Sequence, residues 1–192
     1  MDKLILLGEP GKCYNYAEEY EKAIASLEMG INAAENKIAK DDPLLIGVKN
    51  NLAYAYEQKG EHKKSITLLE ETLPIQQQIL GKTHFDTLKI QVDLIEQYCK
   101  IKQLTRAISL LEELVPIQRK VLGQVHKKTM SSENDLAELY LQNRNVYTAL
   151  KLYEHMVSVR QKNLGPGDEQ RKWAEARYEK CIETWKWTWA RR

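Results

Sequence analysis

The stretch QQILGKTHFDTLKIQ, from Gln77 to Gln91, decides the fold because the Leu-Gly pair near its start recurs along the chain. The spacing between successive copies is 42 residues. The copies are Leu80-Gly81, Leu122-Gly123 and Leu164-Gly165. A fixed period of 20 to 50 residues is the sequence signature of a repeat protein. The segment therefore predicts a chain built from copies of one structural repeat.

Other columns of the sequence follow the same shift of 42 residues. They are a tyrosine (Tyr14, Tyr56, Tyr98, Tyr140), a small residue (Ala23, Ser65, Ala107, Ala149) and a leucine (Leu52, Leu94, Leu136). Apolar residues spaced three and four apart follow the small residue, as in Ile66, Leu69 and Leu73, which indicates an amphipathic helix. Each repeat is therefore predicted to consist of two helices.

The recurring Leu-Gly segment is predicted to be the joint between one repeat and the next. Gly81 and Gly123 follow the last apolar residue of a helix, where a left-handed C-terminal cap is expected. Asp42-Pro43 is typical of a helix start, with an N-cap residue followed by proline at the first helical position. The residues aligned with Asp42 are His84, His126 and Asp168. We expect these residues to start helices.

Helical hairpins repeated at a fixed period stack into a solenoid, because a single hairpin cannot bury its apolar face alone. We expect an all-α fold of antiparallel helical hairpins in one repeat domain, residues 1–192. The repeats are placed at about 1–40, 43–82, 85–124 and 127–166, and a capping helix at about 168–188. Pro74 and Pro116 are expected to bend their helices without ending them, whereas the first helix is expected to fray or break near Gly8 to Pro10.

The pattern resembles the tetratricopeptide repeat, which is marked by a Leu-small pair, a tyrosine, a small residue and an apolar residue four positions later. Here these residues are Leu52-Ala53, Tyr56, Ser65 and Leu69. The 42-residue period, with NNLAYAY and LGKTH, is similar to the kinesin light chain type of this repeat. The resemblance implies a right-handed α-solenoid whose concave groove, lined by the first helix of each repeat, binds other proteins.

Charge and composition exclude several classes of protein. The chain has 29 basic and 27 acidic residues and a net charge of +2, which argues against a nucleic-acid-binding surface. The cysteines, Cys13, Cys99 and Cys181, are far apart and form no metal-ligand pattern, so we expect free thiols in the cytoplasm. No apolar run approaches the roughly 20 residues that a membrane span requires.

The sequence contains no motif of a catalytic or cofactor site. GEPGK, at residues 8–12, lacks the spacing and strand context of a phosphate-binding loop. His84 and His126 recur with the repeat and are expected to cap helices or line loops. The pairs Glu70-Glu71 and Glu112-Glu113 are predicted to lie on solvated helix faces rather than to act as acid and base. We predict no enzymatic activity, no cofactor and no metal.

The resemblance also implies which residues line the groove, carried over column by column. They are Asn50, Asn51, Tyr54 and Glu57 in the second repeat; Lys89, Val92, Asp93 and Glu96 in the third; and Ser131, Asn134, Asp135 and Glu138 in the fourth. A carboxamide donates and accepts hydrogen bonds together, so the asparagines are expected to hold the backbone of an extended peptide. A merely solvated helix face is the alternative for any one of these residues.

The charges in this set predict the chemistry of the partner. Five carboxylates stand against one cation, Lys89. The column of Asn51 continues as Asp93 and Asp135, which would repel the acidic C-terminus that some repeats of this kind bind. We therefore expect a protein or peptide partner with a neutral or basic extended segment.

The predicted function is a non-catalytic protein-interaction module or adaptor. The alternative is an assembly subunit that oligomerises through its convex face and a Trp-rich C-terminal helix containing Trp185, Trp187 and Trp189. Against the alternative, Trp185 and Trp189 share a helix face with Cys181 and are expected to pack on the preceding hairpin. A third possibility is a regulator that binds a small ligand in the groove.

Overall fold

The computed structural model describes residues 2–34 and 37–189, with side chains for residues 9–34 and 37–187. This part of the chain forms helices joined by short turns and contains no strand. The helices are α1 (Asp2–Tyr16), α2 (Tyr20–Ala34), α3 (Pro43–Gln58), α4 (His62–Leu80), α5 (Phe85–Lys100), α6 (Leu104–Val121), α7 (Lys127–Gln142), α8 (Val146–Asn163) and α9 (Glu169–Trp189). They form two compact units: an N-terminal unit, Met1–Gln103, with α1 to α5, and a C-terminal unit, Leu104–Arg192, with α6 to α9.

The periodic small residues allow close helix packing. Ala23, Ser65, Ala107 and Ala149 all have 0% exposure. In the N-terminal unit, Ala23 belongs to a core cluster with Leu27, Leu52 and Tyr56. In the C-terminal unit, Ala149 packs with Ala137, Tyr153, Met156 and Cys181. The small-residue column and the leucine column (Leu52, Leu94, Leu136) are therefore buried, as the predicted register of the helices requires.

The turn within each repeat contains a residue in the left-handed backbone conformation. These residues recur every 42 positions and are Glu18, Gly60, Lys102 and Arg144. In each turn the backbone N–H of the next residue donates to the carbonyl of the column tyrosine; for example, Glu61 donates to Tyr56 at 2.8 Å. This is the Schellman arrangement, which satisfies carbonyls at the end of the first helix. A left-handed residue was not predicted here, because three of the four are not glycine.

The joints between repeats start helices as predicted. The side chain of Asp42 accepts a hydrogen bond from the backbone N–H of Leu44 at 2.8 Å. His84 and His126 use ring Nδ1 to accept the equivalent hydrogen bonds, at 3.3 and 3.2 Å. Asp168 accepts from Gln170 at 2.8 Å. The predicted capping role of the two histidines is confirmed, and it requires Nδ1 to be unprotonated.

The glycines of the Leu-Gly pairs differ in part from the prediction. Gly81 and Gly123 have positive φ angles of 88° and 96°, which other residues rarely adopt. The ψ of Gly81 is 159°, so its backbone is not the left-handed helical cap that was expected. At the third pair, Leu164 ends the helix in an extended conformation instead.

The prolines inside helices do not break them. The helices α4 and α6 continue through Pro74 and Pro116, as predicted. The expectation of a frayed or broken first helix is wrong, since α1 continues through Pro10. Tight packing explains this, because Gly11 is buried and a Cβ added to it would lie 2.4 Å from Cγ of Leu27 on α2. The contact of Gly11 with Leu27 on α2 thus outweighs the tendency of Pro10 to interrupt the helix.

The tyrosine column makes a hydrogen bond that joins consecutive repeats. The hydroxyls of Tyr56, Tyr98 and Tyr140 donate to the carboxylates of Glu28, Glu70 and Glu112, each 28 residues earlier. Burial and the nearby carboxylate of Glu112 raise the pKa of Tyr140 to about 12. Glu71 pairs with Lys49 at 2.5 Å. Glu70, Glu71 and Glu112 are exposed, so the predicted solvated helix faces are confirmed, and each carboxylate also has a partner that was not predicted.

The last helix, α9, occupies the predicted position of the capping helix. Its residues Ala174 and Cys181 are buried, and Trp185 is half-buried. Trp187 is 66% exposed. The side chain of Trp189 lies outside the described residues. The assignment of the whole chain to one repeat domain stays a prediction.

Candidate functional site

A groove of about 720 Å³ lies within the N-terminal unit. The helix α3 contributes a stripe of residues spaced three and four apart, which therefore share one helix face. The stripe consists of Pro43, Ile46, Gly47, Asn50, Asn51, Tyr54 and Glu57. The other lining residues are Lys12, Asn15 and Tyr16 of α1; Gln76, Ile79 and Leu80 of α4; and Asp86, Lys89, Ile90, Asp93 and Glu96 of α5.

Seven of the predicted binding residues line this groove. They are Asn50, Asn51, Tyr54 and Glu57 of α3 and Lys89, Asp93 and Glu96 of α5. Val92 is half-buried and is not among the lining residues. Ser131, Asn134, Asp135 and Glu138 lie on α7 in the C-terminal unit. The binding role of all of these residues stays a prediction.

Two parts of the groove were missed by the sequence argument. The first is the end of α1, with Lys12, Asn15 and Tyr16, because this helix was expected to be broken. The second is the end of α4, because only the first helix of each repeat was considered. Ile79 and Leu80 are 43% and 42% exposed. Two neighbouring apolar residues at a helix end were the signal that could have identified this wall.

The structure changes the roles expected for the asparagines. Asn50 Oδ1 accepts a hydrogen bond from Thr72 at 3.0 Å, and its Nδ2 donates to Gln76 at 3.4 Å. Its carboxamide is thus occupied within the fold. Asn15 donates through Nδ2 to the backbone carbonyl of Asn51 at 3.0 Å. The Oδ1 of Asn15 is buried and receives no hydrogen bond from any described residue.

The predicted residues of α7 also make contacts within their own unit. Asn134 Oδ1 accepts from Nη2 of the buried Arg160 at 3.1 Å. Glu138 accepts from the Tyr153 hydroxyl at 2.8 Å and pairs with Arg177 at 3.2 Å. These two side chains therefore stabilise the core of the C-terminal unit, and the charge of Glu138 is balanced by a cation that the sequence argument did not consider.

One end of the groove in the N-terminal unit is acidic. Burial raises the pKa of Asp93 to about 6, and the carboxylates of Glu57 and Glu96 add to the rise while Lys89 opposes it. Burial and then repulsion by Glu96 also raise the pKa of Glu57, against the opposing effects of Gln97, His62 and Lys100. Burial and repulsion between neighbouring carboxylates therefore both disfavour the ionised forms of Asp93 and Glu57. We refer to Glu57, Asp93 and Glu96 as the acidic end.

We predict that Asp93→Asn stabilises the protein at neutral and higher pH. The pKa of Asp93 in the fold, about 6, lies above the value of 3.8 for a free side chain, so its ionised form destabilises the fold. The effect grows as the pH rises from about 4 to 6 and is constant above that. Since the group is partly hydrated, we expect a gain of about 1 kcal/mol at pH 8 rather than the full value of the shift.

Urea denaturation at pH 8 and pH 4 measures this effect. The gain should be present at pH 8 and nearly absent at pH 4. Glu183→Gln on α9 serves as the control, because Glu183 is exposed and its replacement should change the stability by less than about 0.5 kcal/mol. A variant at Asp93 that is less stable than the wild type at pH 8 would contradict the prediction.

Two other features, a metal site and a membrane-spanning helix, are absent from the described residues. Within residues 2–34 and 37–189, no cluster of three or more His, Cys, Asp or Glu side chains could hold a metal ion. In that same part of the chain no helix has the length and apolar character needed to cross a membrane.

Comparison with known proteins agrees with the repeat pattern. Two family models, both described as tetratricopeptide repeat, match residues 44–120 and 129–170. No curated protein matches the chain. The chain is similar to a kinesin light chain-like protein of Podosopora anserina with nearly identical TPR-like repeats, at 26% identity and a TM-score of 0.76. That match covers 94% of this chain and 85% of the other.

Two further structures share the fold at lower identity. BtubC (BKLC) from P. vanneervenii is 17% identical, with a TM-score of 0.62, covering 92% of this chain and 78% of that one. The Rap conjugation gene regulator of the plasmid pLS20, in complex with the Phr* peptide, is 13% identical, with a TM-score of 0.56, covering 94% and 53%. The predicted all-α solenoid of antiparallel helical hairpins is confirmed. The chain belongs to the tetratricopeptide repeat family, and its repeats are similar to those of kinesin light chains.

Proposed function

We propose that the protein is a non-catalytic interaction module, an adaptor that holds an extended segment of a partner protein in the groove of its N-terminal unit. The groove of about 720 Å³ carries the proposal. It combines an exposed aromatic side chain, Tyr54, with carboxamides and an acidic end. Helical-repeat proteins use surfaces of this kind to bind other chains. In the Rap regulator, a protein of the same fold, the bound molecule is a peptide.

The length of the groove fits a short peptide. Pro43 and Glu57 are 14 positions apart on α3, which corresponds to about 21 Å along the helix. An extended chain advances about 3.3 Å per residue, so about six residues would follow this stripe. A segment of that length is common in flexible parts of proteins.

The charges of the groove favour a neutral or basic partner segment. Four carboxylates line it, Glu57, Asp86, Asp93 and Glu96, against Lys12 and Lys89. An acidic segment would meet repulsion at the acidic end, whereas a basic one would relieve the shortage of positive charge there. Cys13, Cys99 and Cys181 form no disulfide with one another, which supports a location in the reducing cytoplasm.

An array of ten-residue peptides with net charges of +3, 0 and −3 on one serine-rich background tests this proposal. The wild type should prefer the +3 peptides. The double variant Glu57→Lys, Glu96→Lys should bind them about tenfold more weakly, a change of about 1.4 kcal/mol, and should begin to accept acidic peptides. The matched control is Glu179→Lys, Glu183→Lys, which reverses the same number of charges on exposed positions of α9.

The same variants separate this proposal from an assembly role. A preference of the wild type for acidic peptides, or an affinity unchanged by the groove variant, would contradict groove binding. Trp187 is 66% exposed on α9, which favours the assembly role as the second candidate. If Trp187→Ser, and not the groove variant, abolishes self-association or partner capture, the assembly role is the better account.

A further inference from the structure

The acidic end of the groove is suited to one positively charged side chain. Glu57 lies in the last turn of α3, where the helix dipole adds further negative potential. Asp93 and Glu96 come from α5, so the three carboxylates surround the position from two helices. Lys89 is the cation that opposes the pKa shift of Asp93, and it leaves the shift only partly compensated. A positively charged side chain of a bound partner would compensate the remaining negative charge of these carboxylates.

The opposite end of the groove is apolar. Pro43 and Ile46 begin α3, and Ile79 and Leu80 end α4. Consecutive helices of a hairpin are antiparallel, so these residues lie at the same end of the groove. Ile79 and Leu80 remain 43% and 42% exposed. We refer to Ile46, Ile79 and Leu80 as the apolar end, and an apolar side chain would remove this surface from water.

Asn15 is an independent observation in favour of a polypeptide backbone as the bound molecule. The residue is only 8% exposed and lines the groove, and its Nδ2 is held by the backbone carbonyl of Asn51. Its Oδ1 receives no hydrogen bond from any described residue. A buried acceptor without a donor is unfavourable, and a backbone N–H is the donor that an extended peptide supplies at every residue.

The distance between the two ends sets the spacing of the side chains that would reach them. Ile46 and Glu57 are 11 positions apart on α3, which corresponds to about 16 Å. Residues four apart in an extended chain are separated by about 13 Å and point to the same side. A lysine or arginine side chain is long enough to span the difference between these two distances. Residues three apart point to opposite sides, so they cannot both face the groove.

We propose that the partner segment carries a lysine or arginine and an apolar residue four positions apart, with the cation at the acidic end and the apolar side chain at the apolar end. This inference rests on the proposed function and goes beyond it by specifying a two-anchor motif. The order of the two anchors along the segment depends on the direction in which the peptide lies.

Fluorescence anisotropy with labelled nine-residue peptides tests the motif. Each peptide is a serine chain that contains one leucine and one arginine. In two of the peptides these residues are four positions apart, and in the other two they are three positions apart. In each pair, leucine comes first in one peptide and arginine comes first in the other. One of the two four-apart peptides should bind the wild-type protein at least tenfold more tightly than either three-apart peptide of the same composition. Ile79→Ser should abolish this difference, whereas Val125→Ser, an exposed apolar residue in the C-terminal unit, should not.

The outcomes distinguish this inference from the proposed function. Equal binding of the four-apart and three-apart peptides, with both losing affinity when glutamate replaces arginine, overturns the motif and leaves the proposed basic partner intact. A preference that survives Ile79→Ser overturns the apolar anchor and with it the motif. Peptides that bind no better with arginine than with glutamate overturn both the motif and the proposed partner chemistry.

Discussion

Tyr98→Ala is expected to lower the free energy of unfolding by about 3–5 kcal/mol, the usual effect of truncating a buried aromatic residue. Tyr98 is 3% exposed and belongs to the column that recurs every 42 residues. The truncation removes the ring from the core and also the hydroxyl that donates to Glu70 on α4. Urea denaturation followed by circular dichroism at 222 nm, a standard helical signal, measures the loss.

Tyr98→Phe separates the two contributions. This variant keeps the ring and removes only the hydrogen bond, and the exposed carboxylate of Glu70 can then be hydrated. We therefore expect it to cost about 1 kcal/mol. A loss of less than about 1 kcal/mol for Tyr98→Ala would mean that the ring is not a core residue, and the register of the repeat would be wrong.

The second large effect is expected for Arg119→Ala in the C-terminal unit. Arg119 Nε donates to Glu133 Oε1 at 2.7 Å, and the side chain of Glu133 is only 4% exposed. Removing the arginine leaves a buried carboxylate without its hydrogen-bonded cation, and only the guanidinium of Arg160 still attracts it. Loss of one partner of a fully buried pair costs about 3–5 kcal/mol. The Arg119 side chain is 27% exposed, so water can partly replace it. We expect a loss of about 2–3 kcal/mol in thermal or urea unfolding.

Two further variants show whether burial of the ion pair is the reason for the expected loss of stability. Lys151→Ala breaks a pair with Glu154 whose side chains are 57% and 52% exposed, and should cost less than about 0.5 kcal/mol. The double change Arg119→Met, Glu133→Met should not recover the stability, because Glu133 also attracts the buried guanidinium of Arg160, which would then lose that carboxylate. Equal losses for Arg119→Ala and Lys151→Ala would contradict the interpretation.

The fold could be predicted because the packing of helices in a repeat protein leaves its own period in the sequence. Ala23, Ser65, Ala107 and Ala149 are fully buried, as small residues at close helix contacts are expected to be. Such positions record tertiary contacts directly. The helix starts were predictable for a different reason, because capping depends only on a side chain and on the backbone two residues later.

What could not be predicted depends on contacts with a second element. The helix α1 is held by the fit of Gly11 against Leu27, and no local pattern around Pro10 shows this. In the left-handed turns, Lys102 and Arg144 share a conformation with Gly60 but share no side-chain chemistry with it. The conformation there follows from the Schellman hydrogen bonds, which are made by the backbone.

The residues of the groove also include some that the sequence could predict and some that it could not. Seven residues of the predicted columns on α3 and α5 line the groove, because residues on one helix face keep their spacing. The role of Asn50 could not be read in this way, since Thr72 and Gln76 on α4 occupy its carboxamide. Asn15 occupies the same column as Glu57 but was missed, because the first helix was expected to be frayed or broken.

The Tyr–Glu hydrogen bonds have a consequence for how the chain folds. Each one closes a loop between residues 28 positions apart, so every repeat adds to its predecessor across the same modest separation. The loss of chain entropy on closing a loop depends on the length of the loop. Because the loops have the same length, this loss is nearly equal at each addition. The series ends at Glu154, because position 182 is Ile182, and Lys151 pairs with Glu154 instead. The last glutamate of the series thus pairs within its own helix, and α9 has isoleucine instead of tyrosine at the position that would continue the series.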